Sequence, residues 1–351
     1  MITLNQIQAN LTLDPWKEIG SEGKNSKAWI TRDRQLDQVL ILKGITKESL
    51  ERQNIEDYYS EAKMLNESKH PHIMPVHYAA EDDSMIYIAM PYYQNGSLNA
   101  LMDTEFLSVK DIIKYSLDFL SGLLFIHIKG LLHLDIKPSN IIIDDTDRAI
   151  LTDFGLSKHL NEHGFASQDY QYKVHRSPES YISPDKSILD DIYQAGLTMY
   201  RMCNGNTQFK DQRSQFPNNN DLKEATQKGK FPDRNYYLPH IPKKLKSIIN
   251  KMTHKDATKR YRNVLNVIND LSKVEENLNW RFNKVESSEN SILTFDEEKS
   301  ILNVNIELVK NQYLTNAVKL NKESNNSRKQ HKYTGTHNSE KEAFDFLRSK
   351  L

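Results

Sequence analysis

The spacing of apolar positions along this 351-residue chain changes several times, and each change predicts an element. Between residues 16 and 45, short apolar stretches broken by a Gly-bearing turn predict strand, turn, strand, strand. The last of these, Val39-Leu40-Ile41-Leu42, closes on Lys43 and reads as a buried strand. Ile55, Tyr58, Tyr59, Ala62 and Leu65 then recur at helical spacing and define one inward face. Met85 to Tyr93 predicts a strand running into a linker, after which Gly96-Ser97-Leu98 opens a helix. From about residue 108 the helical period dominates, with Ile112, Ile113, Leu117, Leu120, Leu123 and Leu124 marking a long buried helix. Apolar runs at Ile141-Ile142-Ile143 and Ile150-Leu151 flank Asp144-Asp145 and predict a short hairpin. Amphipathic helices are expected near 243–254 and 262–273.

Beyond residue 276 the pattern changes again. Glu286-Ser287-Ser288-Glu289-Asn290 reads as a turn, and Leu302, Val304, Ile306 and Leu308 alternate strictly, as a half-buried strand does. That strand is expected to pair with Ile292–Phe295 across Asp296-Glu297-Glu298-Lys299. Asn321 to Lys332 is polar throughout and is expected to be a mobile loop. Ser339-Glu340-Lys341-Glu342 has capping-box form ahead of Ala343, Phe344, Leu347 and Leu351, which predicts a short amphipathic helix.

One stretch carries chemistry. His133-Leu134-Asp135-Ile136-Lys137-Pro138-Ser139-Asn140 is followed by Asp153-Phe154-Gly155. Asp135 can orient and deprotonate an attacking hydroxyl, Lys137 can neutralise a phosphate in transfer, and Asn140 with Asp153 can hold magnesium on phosphate oxygens. The set suits phosphoryl transfer from ATP. At these residues the chain resembles the eukaryotic-like serine/threonine protein kinase family. The resemblance extends in order. Ile19 to Trp29 resembles the glycine-rich loop that covers the phosphates: Gly20 and Gly23 are present with one extra residue between them, and Ser26 stands at the third glycine. Alone, that segment reads as a surface turn, and Lys43 alone as a strand-end lysine in solvent. Glu61, 18 residues after Lys43 on the expected helix and ahead of His70-Pro71-His72-Ile73, matches the glutamate that pairs with the lysine. Ser177-Pro178-Glu179, Asp191 to Gly196 and Arg260 fall where the family has structural acidic and basic partners.

The resemblance implies an α+β, two-lobed protein-kinase fold, with a β-rich N-lobe, a mainly helical C-lobe and a small C-terminal α/β appendage. The expected boundaries are an N-terminal extension at 1–13, the N-lobe at 14–93, the C-lobe at 94–275 and the appendage at 276–351. It implies ATP and Mg2+ as cofactors, with Asp135 and Lys137 catalytic and Asn140 and Asp153 on the metal. Gly20, Gly23, Ser26, Lys43, Met90, Pro91 and Tyr93 would border the nucleotide, Pro91 through its carbonyl since it has no N–H, and Glu61 would serve the same site by holding Lys43 over the phosphates. A protein hydroxyl would be the acceptor, and autophosphorylation is among the reactions the resemblance allows. Lys137-Pro138 points to Ser/Thr acceptors and away from small-molecule kinases. The chain departs from the family at Leu134, where an arginine usually receives an activation-loop phosphate, and at Gln171-Tyr172, where Gly-Thr usually shapes the substrate turn. A scaffold of the same fold without catalysis, its appendage binding a partner, is the alternative.

Composition adds exclusions. Lys plus Arg and Asp plus Glu are both 47, so net charge gives no sign of a nucleic-acid or membrane-surface binder. The single cysteine, Cys203, rules out an intramolecular disulfide and reads as a small apolar residue inside a helix. Met1-Ile2-Thr3-Leu4-Asn5 lacks the basic start of a Sec signal. The most apolar segment, Leu117 to Leu132, is broken by Asp118, His127 and Lys129 and is shorter than the roughly 20 residues of a membrane span. A cytoplasmic protein is expected, with export to a host cell by a non-Sec route left open.

Overall fold

In a computed structural model, residues 12–23, 26–35, 37–50, 69–154, 157–167, 173–285 and 288–351 are described. The chain divides into two compact units, Met1–Gln94 and Asn95–Leu351. The first is an antiparallel sheet of β1 (Leu13–Gly23), β2 (Ser26–Asp33), β3 (Gln38–Thr46), β4 (Tyr78–Glu81) and β5 (Met85–Pro91), in the order β1-β2-β3-β5-β4. Alternation along β3 sends Leu40, Leu42 and Gly44 to one face, where Leu40 and Leu42 pack with Ala89, Trp29 and Tyr87. A methyl group on Gly44 would meet Trp29 at 2.8 Å and Tyr87 at 3.1 Å, so the glycine lets those rings close over the strand. A single helical turn, α1 (Lys47–Leu50), follows β3. The inward face Ile55 to Leu65, with Glu61, lies outside the described residues, as do Gly155 and Gln171-Tyr172.

The second unit is mainly helical. Helix α2 (Leu98–Thr104) is capped by Ser97, whose side chain accepts the Ala100 N–H at 3.2 Å. In α3 (Val109–Ile128), Ser108 and Asp111 form a full capping box. Strands β6 (Ile141–Ile143) and β7 (Ala149–Leu151) make the expected hairpin. Its turn is organised by Asp144, whose Oδ1 accepts the Thr146 and Arg148 N–H groups, both at 2.9 Å. Helix α4 (Ile188–Asn204) is buried all round from Asp190 onward, Cys203 included. It is surrounded by α3, α5 (Asn206–Ser214) and α7 (Lys243–Met252); α6 (Asn219–Lys228) and α8 (Val264–Leu271) complete the helical part. The sequence pattern misjudged part of α3. Ile113, Leu117 and Leu124 are only half-buried, while Tyr115, Ser116 and Phe119 are buried, because α3 packs against α4, α8 and β7 on different sides.

Residues 280–348 form β8 (Trp280–Lys284), β9 (Ser291–Asp296), β10 (Ser300–Val309), β11 (Gln312–Asn321), β12 (Ser327–Lys329), β13 (Gly335–His337) and α9 (Glu340–Arg348). The six strands are antiparallel, with β12 and β13 both on the outer edge of β11. The β9–β10 pairing is the expected one, with Phe295 opposite Leu302. Asn321–Lys332 is not the loop the polarity implied. Ser327–Lys329 pairs with Val318–Leu320, and Asn321 Oδ1 accepts the Glu323 and Ser324 N–H groups to close the turn. The three β12 residues are exposed at the sheet edge, so polarity there marks an edge strand rather than a missing one. The sheet docks on the helices of its own unit through Phe282, which meets Phe106 edge-on at 5.0 Å, Phe344 at 6.1 Å and the His240 ring in parallel at 6.5 Å. Arg281 adds ion pairs to Glu105 and Asp111, and the Lys110 N–H donates to Leu278 O at 2.9 Å.

Candidate active site

His133 to Lys137 forms a buried loop between the two-residue strand Leu131–Leu132 and the 3-10 turn Pro138–Asn140. Its backbone is held from below by α4. The Asp191 carboxylate accepts the His133 N–H at 2.9 Å and the Leu134 N–H at 2.7 Å, and lies 2.8 Å from His127 Nε2. One turn later, Gln194 Oε1 accepts the Ile136 N–H at 2.9 Å and its Nε2 donates to Leu134 O at 2.9 Å. These four contacts to loop backbone groups fix Leu134 at φ 66, a left-handed conformation that a leucine adopts only when its surroundings impose it. The Leu134 side chain is fully buried in an apolar cluster with Leu132 and Ala166, backed by Leu160 and Ile188.

The acidic and basic groups converge on Asp135. Asn140 Nδ2 donates to Asp135 Oδ2 at 2.8 Å and to its carbonyl at 2.9 Å, and Lys137 Nζ lies 3.1 Å from the same Oδ2. Asp135 Oδ1 is buried and, among the described residues, has no hydrogen-bond partner. A buried carboxylate oxygen without a donor is costly, so the position suits an acceptor that a hydroxyl can complete. The β6–β7 hairpin sets the next pair: Thr152 N–H donates to Asn140 O at 2.9 Å, which places Asp153 one residue beyond the partner of Asn140. Asp153 has φ 63, a second non-glycine residue held in the left-handed region at this site. Asn140 and Asp153 together offer hard oxygen donors. That number suits Mg2+, which keeps several waters and phosphate oxygens in its shell rather than demanding a full protein cage.

His133 and His175 brace the loop as neutral rings. The Asp135 N–H donates to His133 Nδ1 at 3.3 Å, so Nε2–H donates to Thr152 O at 3.0 Å. Burial holds the His133 pKa below its ordinary value. His175 Nδ1 is 3.0 Å from Ile136 O, and Arg201 donates to its Nε2 at 3.2 Å. Burial first, and the Arg201 charge second, push His175 well below its ordinary pKa. Glu179 and Arg260 form a bidentate pair at 2.5 and 2.7 Å, and Arg260 also donates to Leu189 O and His254 O.

In the sheet unit, Lys43 pairs with Ala28 and Ile88 in register, on the β3 face it shares with Ile41, whose partner is Met90. Met90 is buried, Pro91 ends β5 opposite Leu40, and Tyr93 is half-buried. Gly20 and Gly23 lie in an irregular end of β1, and Gly23 pairs with Ser26, the first residue of β2. Glu61 lies outside the described residues, and with it the expected Lys43–Glu61 pair. Sequence reading passed over Gln194 and His175. Gln194 carries a faint signal, since it falls one helical turn after Asp191 on the same face; His175 meets Ile136 from 39 residues away, and no spacing announces that.

Among the described residues no helix is long and apolar enough to cross a membrane. Comparison with known proteins bears on the whole arrangement. Residues 14–270 match the family model described as protein kinase domain. The chain is similar to the serine/threonine-protein kinase ppk22 of Schizosaccharomyces pombe, at 23% identity over 271 residues, covering 68% of this chain and 51% of that protein. It is 24% identical over 261 residues to the probable serine/threonine-protein kinase PknB of Lactococcus lactis, covering 73% of this chain and 41% of that one. With the serine/threonine-protein kinase ULK3 of Xenopus laevis it shares 28% over 181 residues, 51% of this chain and 39% of the relative. The chain thus spans about half the length of these curated relatives or less. With the matched residues covering most of its length, the chain belongs to the protein kinase domain family.

Proposed function

We propose that this protein is a serine/threonine protein kinase that transfers the γ-phosphoryl group of ATP to a protein hydroxyl. The observation that carries this reading is the buried trio Asp135, Lys137 and Asn140, in which one carboxylate oxygen is engaged and the other is left without a donor. In the proposed reaction Asp135 Oδ1 accepts the acceptor hydroxyl's hydrogen bond, orients its oxygen for in-line attack and takes its proton. Asn140 and Lys137 hold the carboxylate in place through Oδ2, so its free oxygen stays aimed. The Lys137 ammonium also carries positive charge to where the transferring phosphoryl group develops negative charge. Lys43 would contact the α- and β-phosphates, while Gly20, Gly23 and Ser26 line the phosphate-covering loop and Met90, Pro91 and Tyr93 border the adenine. Mg2+, held by Asn140 and Asp153, would neutralise the phosphate oxygens when bound. The relatives' names support Ser/Thr chemistry, and Lys137-Pro138 is the feature of this chain that agrees with it.

The test is incubation of the purified protein with Mg2+, γ-labelled ATP and a generic protein acceptor, beside Asp135→Asn and Asp153→Ala. Label on protein serine or threonine is expected from the parent. Asp135→Asn should cost about 10²- to 10⁴-fold in kcat while nucleotide binding persists. Equal labelling by Asp135→Asn would remove Asp135 from the role of base. Nucleotide binding without label on any protein would favour the scaffold reading.

A further inference from the structure

Charge is balanced over the whole chain but not along it. Residues 221–262 contain twelve Lys or Arg and four Asp or Glu. Two of the cations are neutralised, Lys228 by Glu224 and the buried Arg260 by Glu179. Among the described residues, Lys230, Arg234, Lys251 and Lys255 enter no ion pair.

Two of these meet at one point, with a third beside them. Gly229 ends α6 in the left-handed conformation, with φ 71, and a methyl group added there would meet Arg234 Nη2 at 3.1 Å and Lys255 Cδ at 3.2 Å. Lys230 is the next residue. The same segment lines a recess of about 430 Å³, walled by Gly229, Lys230, Asp233, Arg234, Asn235 and Asn250. Its single carboxylate, Asp233, accepts the Asn235 N–H at 3.0 Å and offsets one of the three positive charges of Lys230, Arg234 and Lys255, which leaves the rim net positive. The Asn250 side chain is spent on structure, donating to Arg234 O at 3.0 Å and accepting from the Tyr237 hydroxyl at 2.9 Å. Like charges brought together without a counter-ion repel one another, and an incoming anion relieves that repulsion.

We propose that this recess and its cationic rim are a docking site for an acidic segment of a protein partner, with carboxylate side chains seated between Lys230, Arg234 and Lys255. The shape favours a peptide over a membrane, since a recess offers little to a flat headgroup surface. None of the described residues that line the recess is aromatic, so it offers no ring on which a base could stack. Tyr237 and Tyr261 are buried, and Lys251 covers the Tyr261 ring at 4.0 Å. The site stands apart from the transfer chemistry, which uses none of these residues.

The experiment is fluorescence anisotropy of a labelled oligoglutamate peptide titrated with the full chain at low and moderate NaCl. Saturable binding that weakens with salt is expected, with a neutral Gly-Ser peptide failing to bind. The variants Arg234→Glu and Lys255→Glu, with folding checked by circular dichroism, should each weaken binding by about tenfold; Arg234→Gln and Lys255→Gln should fall between. Asp135→Asn should bind like the parent, so loss of transfer and loss of docking are separable. The proposal is overturned if the charge-reversed but folded variants bind as tightly as the parent. It is equally overturned if inorganic phosphate binds as well as the peptide, or if phosphatidylserine vesicles or an oligonucleotide bind more tightly and lose that binding in the same variants.

Discussion

Asp191 shows how one side chain can organise a site it does not enter. Its carboxylate satisfies two buried loop amides and faces His127, and with Gln194 it compels a leucine into the left-handed region. Asp191→Ala would orphan both amides at about 1–3 kcal/mol each, so a loss of roughly 2–6 kcal/mol in urea denaturation is expected, with activity falling alongside. Asp191→Asn keeps one acceptor oxygen and should lose less. The departure from the family at Leu134 has a packing consequence at the same scale. An arginine at that position would place a charge in the apolar cluster of Leu132 and Ala166 that Leu160 and Ile188 back.

At the scale of elements, the 280–348 sheet is tied to the helices by two kinds of contact whose strengths differ. The Arg281 ion pairs involve side chains more than a quarter exposed, which places each at about 0–1 kcal/mol. Phe282 is 1% exposed and touches three rings. Phe282→Ala should therefore cost about 3–5 kcal/mol and Arg281→Ala about 2 kcal/mol or less, read as urea midpoints by circular dichroism. Equal losses would mean that charge rather than burial holds this sheet. The β6–β7 hairpin was legible because Asp144 sits between two apolar runs, whereas β12 was missed because an exposed edge strand has no apolar period to read.

For the whole molecule, three fully buried histidines couple stability to pH. His133, His175 and His240 are held neutral by burial, the last with a pKa lowered to about 3. Their folded pKa values lie below the unfolded value of 6.5. Above that pH both states are neutral and the groups contribute nothing. Below it the unfolded chain binds protons that the folded one refuses, so stability falls as pH drops. Between pH 6.5 and 5.5 His240 should remove about 1 kcal/mol, with His133 and His175 acting in the same direction, read as a fall in the thermal midpoint. A midpoint that rises over that interval would mean these rings are charged in the fold.

What the sequence determined by itself was the order of the residues to which the proposed chemistry is assigned: Asp135, Lys137, Asn140 and Asp153 lie within one short stretch, where type and spacing are visible together. It also determined the strands and helices whose apolar period is strong, such as β3, β10 and α9. The tertiary structure alone decided what depends on separated segments meeting: the Asp191–Gln194 clamp, the left-handed Leu134, the His175 brace from 39 residues away and the meeting of Arg234 and Lys255 at Gly229. The reason is physical. Periodicity records which side of an element is dry, but not which distant backbone group or charge will lie against it once the chain has folded.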